Sequence, residues 1–126
     1  MRLNQVTVPC LNLEASIAFY KKLGLELIVH SHDNYARFLC PEGDATFSLH
    51  RVEEKSKGPQ PVIYFEINEV DEAYKKLKNL GIIFDFEPIE QPWLWKECGL
   101  KDPYGNEIIL YTAGENRIHP PWRIKR

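Results

Sequence analysis

The sequence predicts an α+β protein made of two βαβββ modules. Three observations support this prediction: an internal repeat, a change of apolar spacing within each copy, and a turn signal before the last strand. The chain has 126 residues, 44% of them apolar, which suffices for one domain with a buried core. The modules are expected at residues 1–53 and 61–113, joined by a linker at 54–60 and followed by a basic, proline-rich tail at 114–126.

The internal repeat aligns two stretches without a gap. Residues 5–27, QVTVPCLNLEASIAFYKKLGLEL, match residues 62–84, VIYFEINEVDEAYKKLKNLGIIF. Each copy begins with alternating apolar residues, which is typical of a strand, and continues with apolar residues three or four positions apart, which is typical of a helix. Three further strand-like runs complete each module. The helical apolar stripes are Leu13, Ile17, Tyr20 and Leu23 in the first copy, and Val70, Ala73, Leu77 and Leu80 in the second.

Both predicted helices carry start and stop signals. Asn12 and Asn68 are expected to cap the helix N-termini, because an asparagine side chain can accept a free backbone N–H. Gly24 and Gly81 are expected to end the helices in the left-handed conformation.

Composition favours small-molecule partners or a second copy of the chain. The formal net charge is -2, and the 16 basic and 18 acidic residues are mixed along the sequence, so neither a nucleic-acid nor a membrane surface is indicated. No signal peptide or membrane span is expected, and a cytoplasmic location is predicted. Cys10, Cys40 and Cys98 are interpreted as reduced, ordinary thiols, since their number is odd and their spacing is wide.

The stretch DPYGN, residues 102–106, predicts a tight turn, because Pro103 presets one turn position and Gly105 tolerates a positive φ. Together, the helix end FYKKLGLEL, the repeated module and the DPYGNEI strand resemble the vicinal oxygen chelate superfamily. That superfamily includes glyoxalase I, bleomycin-resistance proteins, fosfomycin-resistance proteins and extradiol dioxygenases. The resemblance covers Leu3 to about Ala113. It implies a cup of curved, mixed sheet with helices outside, and commonly a homodimer.

The resemblance also locates the family's metal ligands. Metal-using members place one ligand on the first and one on the last strand of each module, and these places hold Gln5, Ser48, Val62 and Ile109 here. A divalent cation needs nitrogen, oxygen or sulfur donors, which alkyl side chains lack. The sequence therefore predicts no metal and no other cofactor.

The sequence does not favour a metal site displaced from these four places. His50, Glu66 and Glu107 are expected to face the cup, but Val62 is expected beside Ile109, which would separate the two carboxylates by about six residues of strand at roughly 3.3 Å each. That distance is too long for one shared ion.

The remaining cup residues suit a small organic ligand. His50 is the candidate general base, and its alternative role is a hydrogen-bonded wall residue. Trp93 and Trp95 could form a stacking lid, or pack an exposed loop or dimer contact. The expected ligand-binding residues are Gln5, Thr7, Ser48, His50, Tyr64, Trp93, Trp95, Ile109 and Tyr111.

Three functions follow from these residues. The first is a metal-free binding or sequestering protein of the bleomycin-resistance type. The second is a lyase, isomerase or dioxygenase that uses His50 or a non-standard metal site. The third is a structural or regulatory partner protein. The tail segment PPWR, residues 120–123, is expected to dock on its own domain or a partner.

Overall fold

The computed structural model describes residues 1–125 and has the predicted α+β architecture, with two four-stranded mixed sheets and two α-helices. It divides into unit 1, residues 1–60 with 102–106, and unit 2, residues 61–101 with the chain from residue 107 onward. The elements are β1 (Gln5–Cys10), α1 (Leu13–Lys22), β2 (Glu26–Ser31), β3 (Tyr35–Leu39), β4 (Thr46–Arg51), β5 (Ile63–Glu66), α2 (Val70–Asn79), β6 (Phe84–Glu90), β7 (Lys96–Lys101), β8 (Glu107–Thr112) and a 3₁₀ helix (Gly114–Arg117).

Unit 1 has the strand order β1-β4-β3-β2, with β1 and β4 parallel and the other pairs antiparallel. Helix α1 packs against one face of this sheet. Tyr20, Phe38 and Phe47 are fully buried there, and the Tyr20 and Phe47 ring centroids lie 4.5 Å apart. The opposite sheet face is called the open face of unit 1.

The signals around α1 act as predicted. The Asn12 side chain accepts a hydrogen bond from the Ala15 backbone N–H at 3.0 Å, which satisfies one of the free donors of the first turn. Gly24 follows the helix with φ at 100°, a conformation that residues with a Cβ rarely adopt.

Unit 2 has the corresponding order β5-β8-β7-β6, and α2 packs on its sheet. The prediction that Asn68 caps α2 is wrong. The cap position is Glu69, without a side-chain hydrogen bond, because the helix starts at Val70 and Asn68 lies one residue too early. Leu80 also departs from the predicted stripe, since it is 45% exposed.

In the tail, Trp122 is 56% exposed in the part of the chain that the structure describes. Docking of the PPWR segment on a partner stays a prediction. Neither α-helix found in residues 1–125 has the length and apolar character to cross a membrane.

Candidate functional site

Polar side chains form a connected cluster on the open face of unit 1. Gln5 Nε2 donates to Ser48 Oγ at 2.7 Å, and Thr46 Oγ1 donates to Gln5 Oε1. Gln5 Nε2 also lies 3.2 Å from Thr7 Oγ1. Ser48 is fully buried although its side chain is polar. The predicted residues of β1 and β4 therefore contact one another.

Tyr35 and Arg37 extend this cluster, and the sequence reasoning missed them. The Tyr35 hydroxyl lies 2.9 Å from Ser48 Oγ and accepts a hydrogen bond from Arg37 Nε at 2.9 Å. The hydrogen bond with Ser48 lowers the pKa of Tyr35, and Arg37 acts in the same direction. The signal was present in β3, because the alternation of buried Ala36 and Phe38 places Tyr35 and Arg37 on the open face. Gln5, Tyr35, Arg37, Thr46 and Ser48 are called the polar network.

His50 lies at the end of β4, opposite Tyr35 in the antiparallel register. Its side chain is exposed, and no hydrogen bond to it is found among residues 1–125. The described structure therefore gives His50 neither the hydrogen-bonded wall role nor a group that orients it as a base.

Unit 2 carries an aromatic cluster on the sheet face opposite α2. The Trp95 and Tyr111 rings stack with centroids 4.5 Å apart at an interplanar angle of 18°. Tyr64 meets both edge-on, at 5.9 Å from Trp95 and 5.7 Å from Tyr111. Burial, followed by the Glu66 carboxylate, raises the pKa of Tyr111. Tyr64, Trp95 and Tyr111 are called the aromatic cluster.

The two tryptophans of QPWLW have different positions. Trp95 packs in the aromatic cluster, and its Nε1 donates to the Asn116 carbonyl at 3.4 Å. Trp93 lies in the preceding turn, is 43% exposed and makes no ring contact within residues 1–125. The structure places Trp95 in the packing role, and a lid formed with Trp93 stays a prediction.

The predicted register of unit 2 is wrong by two residues. Tyr64, not Val62, lies beside Ile109, because β5 starts at Ile63. Glu66 pairs with Tyr111, four residues along β8 from Glu107, a separation of roughly 13 Å at 3.3 Å per residue. The two carboxylates are still too far apart to share an ion.

Comparison with known proteins identifies the family. The sequence model of the Glyoxalase/Bleomycin resistance protein/Dioxygenase superfamily matches residues 2–110. The chain belongs to this superfamily. The family resemblance inferred from the repeat and the DPYGNEI strand is therefore confirmed.

Relatives that the chain is similar to include an enzyme and a bleomycin resistance determinant. The chain is 29% identical over 131 residues to the trivalent organoarsenical cleaving enzyme of Bacillus sp. (strain MD1), covering 96% of this chain and 81% of that protein. A superfamily member from Nocardioides has a TM-score of 0.78 at 22% identity, covering 99% of this chain and 90% of that one. The bleomycin resistance determinant of transposon Tn5 has a TM-score of 0.74 at 18% identity, covering 89% and 98%. The structural likenesses support the fold alone.

The residues at the superfamily's ligand places do not fit a divalent metal. The Gln5 carbonyl oxygen already accepts a hydrogen bond from Thr46, and Ser48 is bound to Gln5 and Tyr35. Val62 and Ile109 have no donor atoms in their side chains. Among residues 1–125 no group of three or more His, Cys, Asp or Glu side chains is arranged to hold a metal ion.

Proposed function

We propose that this superfamily member binds or sequesters a small organic ligand without a bound metal. The proposal rests on the residues that occupy the four positions where metal-using members of the superfamily place their ligands. Gln5 and Ser48 satisfy each other through a hydrogen bond of 2.7 Å, and Val62 and Ile109 are alkyl. A cation at these places would gain two neutral oxygens at most, too few to replace its hydration shell.

The aromatic cluster supports binding of a flat ligand. Tyr64 is 49% exposed at the edge of the stacked Trp95 and Tyr111 pair, so its ring offers apolar surface that a ligand can cover. Aromatic side chains contribute large contact area and prefer stacked or edge-on neighbours. Half-buried Ile109, beside Tyr64, adds an apolar wall.

Metal content tests the proposal directly. Protein purified without chelator is expected to contain well under one equivalent of any divalent metal. Dialysis against chelator is expected to leave its affinity for the planar probe 2-naphthol unchanged. Elemental analysis by mass spectrometry measures the first, and calorimetric titration the second. A stoichiometric Ni, Zn, Fe or Mn ion at the four ligand places would overturn the metal-free part of the proposal.

Replacement of Tyr64 by alanine is expected to weaken the binding of a neutral planar probe, 2-naphthol, by about 10-fold. The change removes about half of the stacking contacts, and 1.4 kcal/mol corresponds to tenfold in affinity. The measurement is an NMR titration that follows the Trp95 indole N–H.

The matched control is Trp93→Ala, which removes a similarly exposed aromatic side chain outside the aromatic cluster. We expect its effect on affinity to stay within twofold. Equal losses in both variants would contradict binding at the aromatic cluster.

A homodimer and a cytoplasmic location remain predictions. Ile83 and Ile89 of unit 2 are 86% and 50% exposed, and docking of a second copy there would remove apolar surface from water.

The second candidate function is an enzyme of the same superfamily, which the name of the Bacillus relative favours. Trivalent arsenic binds thiolates, and burial raises the pKa of Cys98 to about 12 and also raises that of Cys10, so neither offers a ready thiolate. His50 is then the candidate base. This function requires that His50→Ala abolish turnover and leave ligand binding intact, whereas equal loss of binding and fold would argue against it.

A further inference from the structure

Arg37 differs from the other arginines of the described chain. Arg2, Arg51 and Arg117 each pair with a carboxylate, and Arg123 contacts a histidine ring. None of the ion pairs within residues 1–125 includes Arg37. Its side chain is nevertheless half-buried on the open face of unit 1, where an unpaired charge is costly.

Tyr35 holds the Arg37 side chain in place. The guanidinium carbon lies 5.5 Å from the centre of the Tyr35 ring, and Nε donates to the Tyr35 hydroxyl at 2.9 Å. These contacts use one of the five guanidinium N–H groups and leave both terminal nitrogens without a protein acceptor in the described chain. A fixed guanidinium fork is suited to the two oxygens of a carboxylate or a phosphonate.

The polar network also contains one hydroxyl hydrogen without a protein acceptor in the described chain. Gln5 Nε2 donates to Ser48 Oγ, and Arg37 Nε donates to the Tyr35 hydroxyl. The Ser48 and Tyr35 hydroxyls have two hydrogens, of which their mutual bond uses one. The other has no protein acceptor within residues 1–125. The network therefore has an unused hydroxyl donor beside the positive charge of Arg37.

We propose that Arg37 and Tyr35 form an oxyanion-binding site for a carboxylate or phosphonate group of an organic ligand, with buried Ser48 holding the Tyr35 hydroxyl in place. This site adds a negative charge to the ligand of the proposed function. It rests on that function in one respect, namely that the ligand is a small organic molecule. An oxyanion can accept from the guanidinium fork of Arg37 and, where Ser48 donates to Tyr35, from the Tyr35 hydroxyl.

The test compares benzoate and phenylphosphonate with benzamide, a neutral analogue of benzoate. Each is titrated into ¹⁵N-labelled protein in a buffer free of phosphate and carboxylates, and the Arg37 Nε–H and Ser48 amide signals are followed. We expect at least one of the two anions to bind about 10-fold more tightly than benzamide, because charge-assisted hydrogen bonds are the stronger kind. Tighter binding of benzoate would identify the ligand group as a carboxylate, and tighter binding of phenylphosphonate would identify it as a phosphonate. Either preference supports the site.

Variants separate the guanidinium from general charge attraction. Arg37→Gln is expected to reduce anion affinity to about that of benzamide, and Arg37→Lys is expected to lose about threefold in anion affinity, since it retains the charge without the fork. Arg2→Gln removes the same charge from an exposed pair and is expected to have no effect.

The inference is overturned if the anions and benzamide bind equally, if neither anion binds, or if Arg2→Gln and Arg37→Gln weaken anion binding alike. These results leave 2-naphthol binding at the aromatic cluster as a separate measure of the proposed function.

Discussion

Replacement of Asp102 by alanine is expected to lower the free energy of unfolding by about 3–5 kcal/mol, since a buried carboxylate that accepts several hydrogen bonds is lost. Asp102 is 5% exposed. Its Oδ1 accepts from the backbone N–H groups of Tyr104, Gly105 and Asn106 at 2.9–3.0 Å. Its Oδ2 accepts from the Tyr20 hydroxyl at 2.6 Å and from the Asn106 amide at 2.7 Å. Alanine leaves the Tyr104 and Asn106 backbone N–H groups and the Tyr20 hydroxyl without this acceptor, whereas the Gly105 N–H retains the Asp102 carbonyl and the Asn106 amide retains the Pro9 carbonyl.

Two variants serve as controls for the Asp102 prediction, and urea denaturation measures all three. Tyr20→Phe removes a single hydrogen bond and retains the ring, so we expect a loss of about 1–2 kcal/mol. Asp44→Ala removes an exposed aspartate paired with Arg2, and its effect is expected to stay within about 0.5 kcal/mol. A loss for Asp102→Ala no larger than that for Asp44→Ala would contradict the structural role of the carboxylate.

Replacement of Gly99 by alanine is expected to lower the free energy of unfolding by about 1–3 kcal/mol, because the Phe86 ring already occupies the space above the glycine. Gly99 on β7 pairs with Phe86 on β6. A Cβ at Gly99 would lie 2.8 Å from Phe86 Cζ and 2.9 Å from Cδ1, far inside van der Waals contact. The backbone itself does not require glycine, since Gly99 is not among the glycines with positive φ.

A double-mutant cycle tests this cause. In a Phe86→Ala background the clash is absent, and Gly99→Ala is expected to stabilise the protein by about 0.5–1 kcal/mol, since alanine loses less conformational entropy on folding. The change of sign is the decisive result, measured by denaturation of the four proteins. A destabilisation that is equal in both backgrounds would show that Phe86 is not responsible.

Much of the fold was readable from the sequence because it depends on local periodicity. The alternation in β1 and the spacing of Leu13, Ile17 and Tyr20 each describe one face of one element, and the structure buries those faces as predicted. Because the sequence repeats, the same patterns predicted the same order of elements in the second module. The predictions were wrong at the ends of elements, at Asn68 and Val62. The apolar spacing fits almost equally well when a boundary is moved by one or two residues.

The candidate site was predicted only in part. Gln5 and Ser48 were placed by the family resemblance, and they do contact each other. Arg37 was missed because a lone arginine in a short strand is normally a solvated residue. Its significance depends on its having no carboxylate partner within residues 1–125, which cannot be read from a strand pattern. Glu97 is a similar case, since its burial at 4% exposure gives no local signal in the sequence.

The sequence by itself determined the two βαβββ modules, the turn before β8 and the alkyl residues at two ligand places, because these depend on residue type at fixed spacing. Only the tertiary structure decided which side chains meet. Tyr20 and Asp102 are 82 positions apart, and Gln5 and Ser48 are 43 apart. Such contacts form when strands pair in one register, and the register follows from the packing of a whole sheet face. The turn DPYGN was therefore predictable as a turn, whereas its hydrogen bonds to Tyr20 and Pro9 depended on the folded chain.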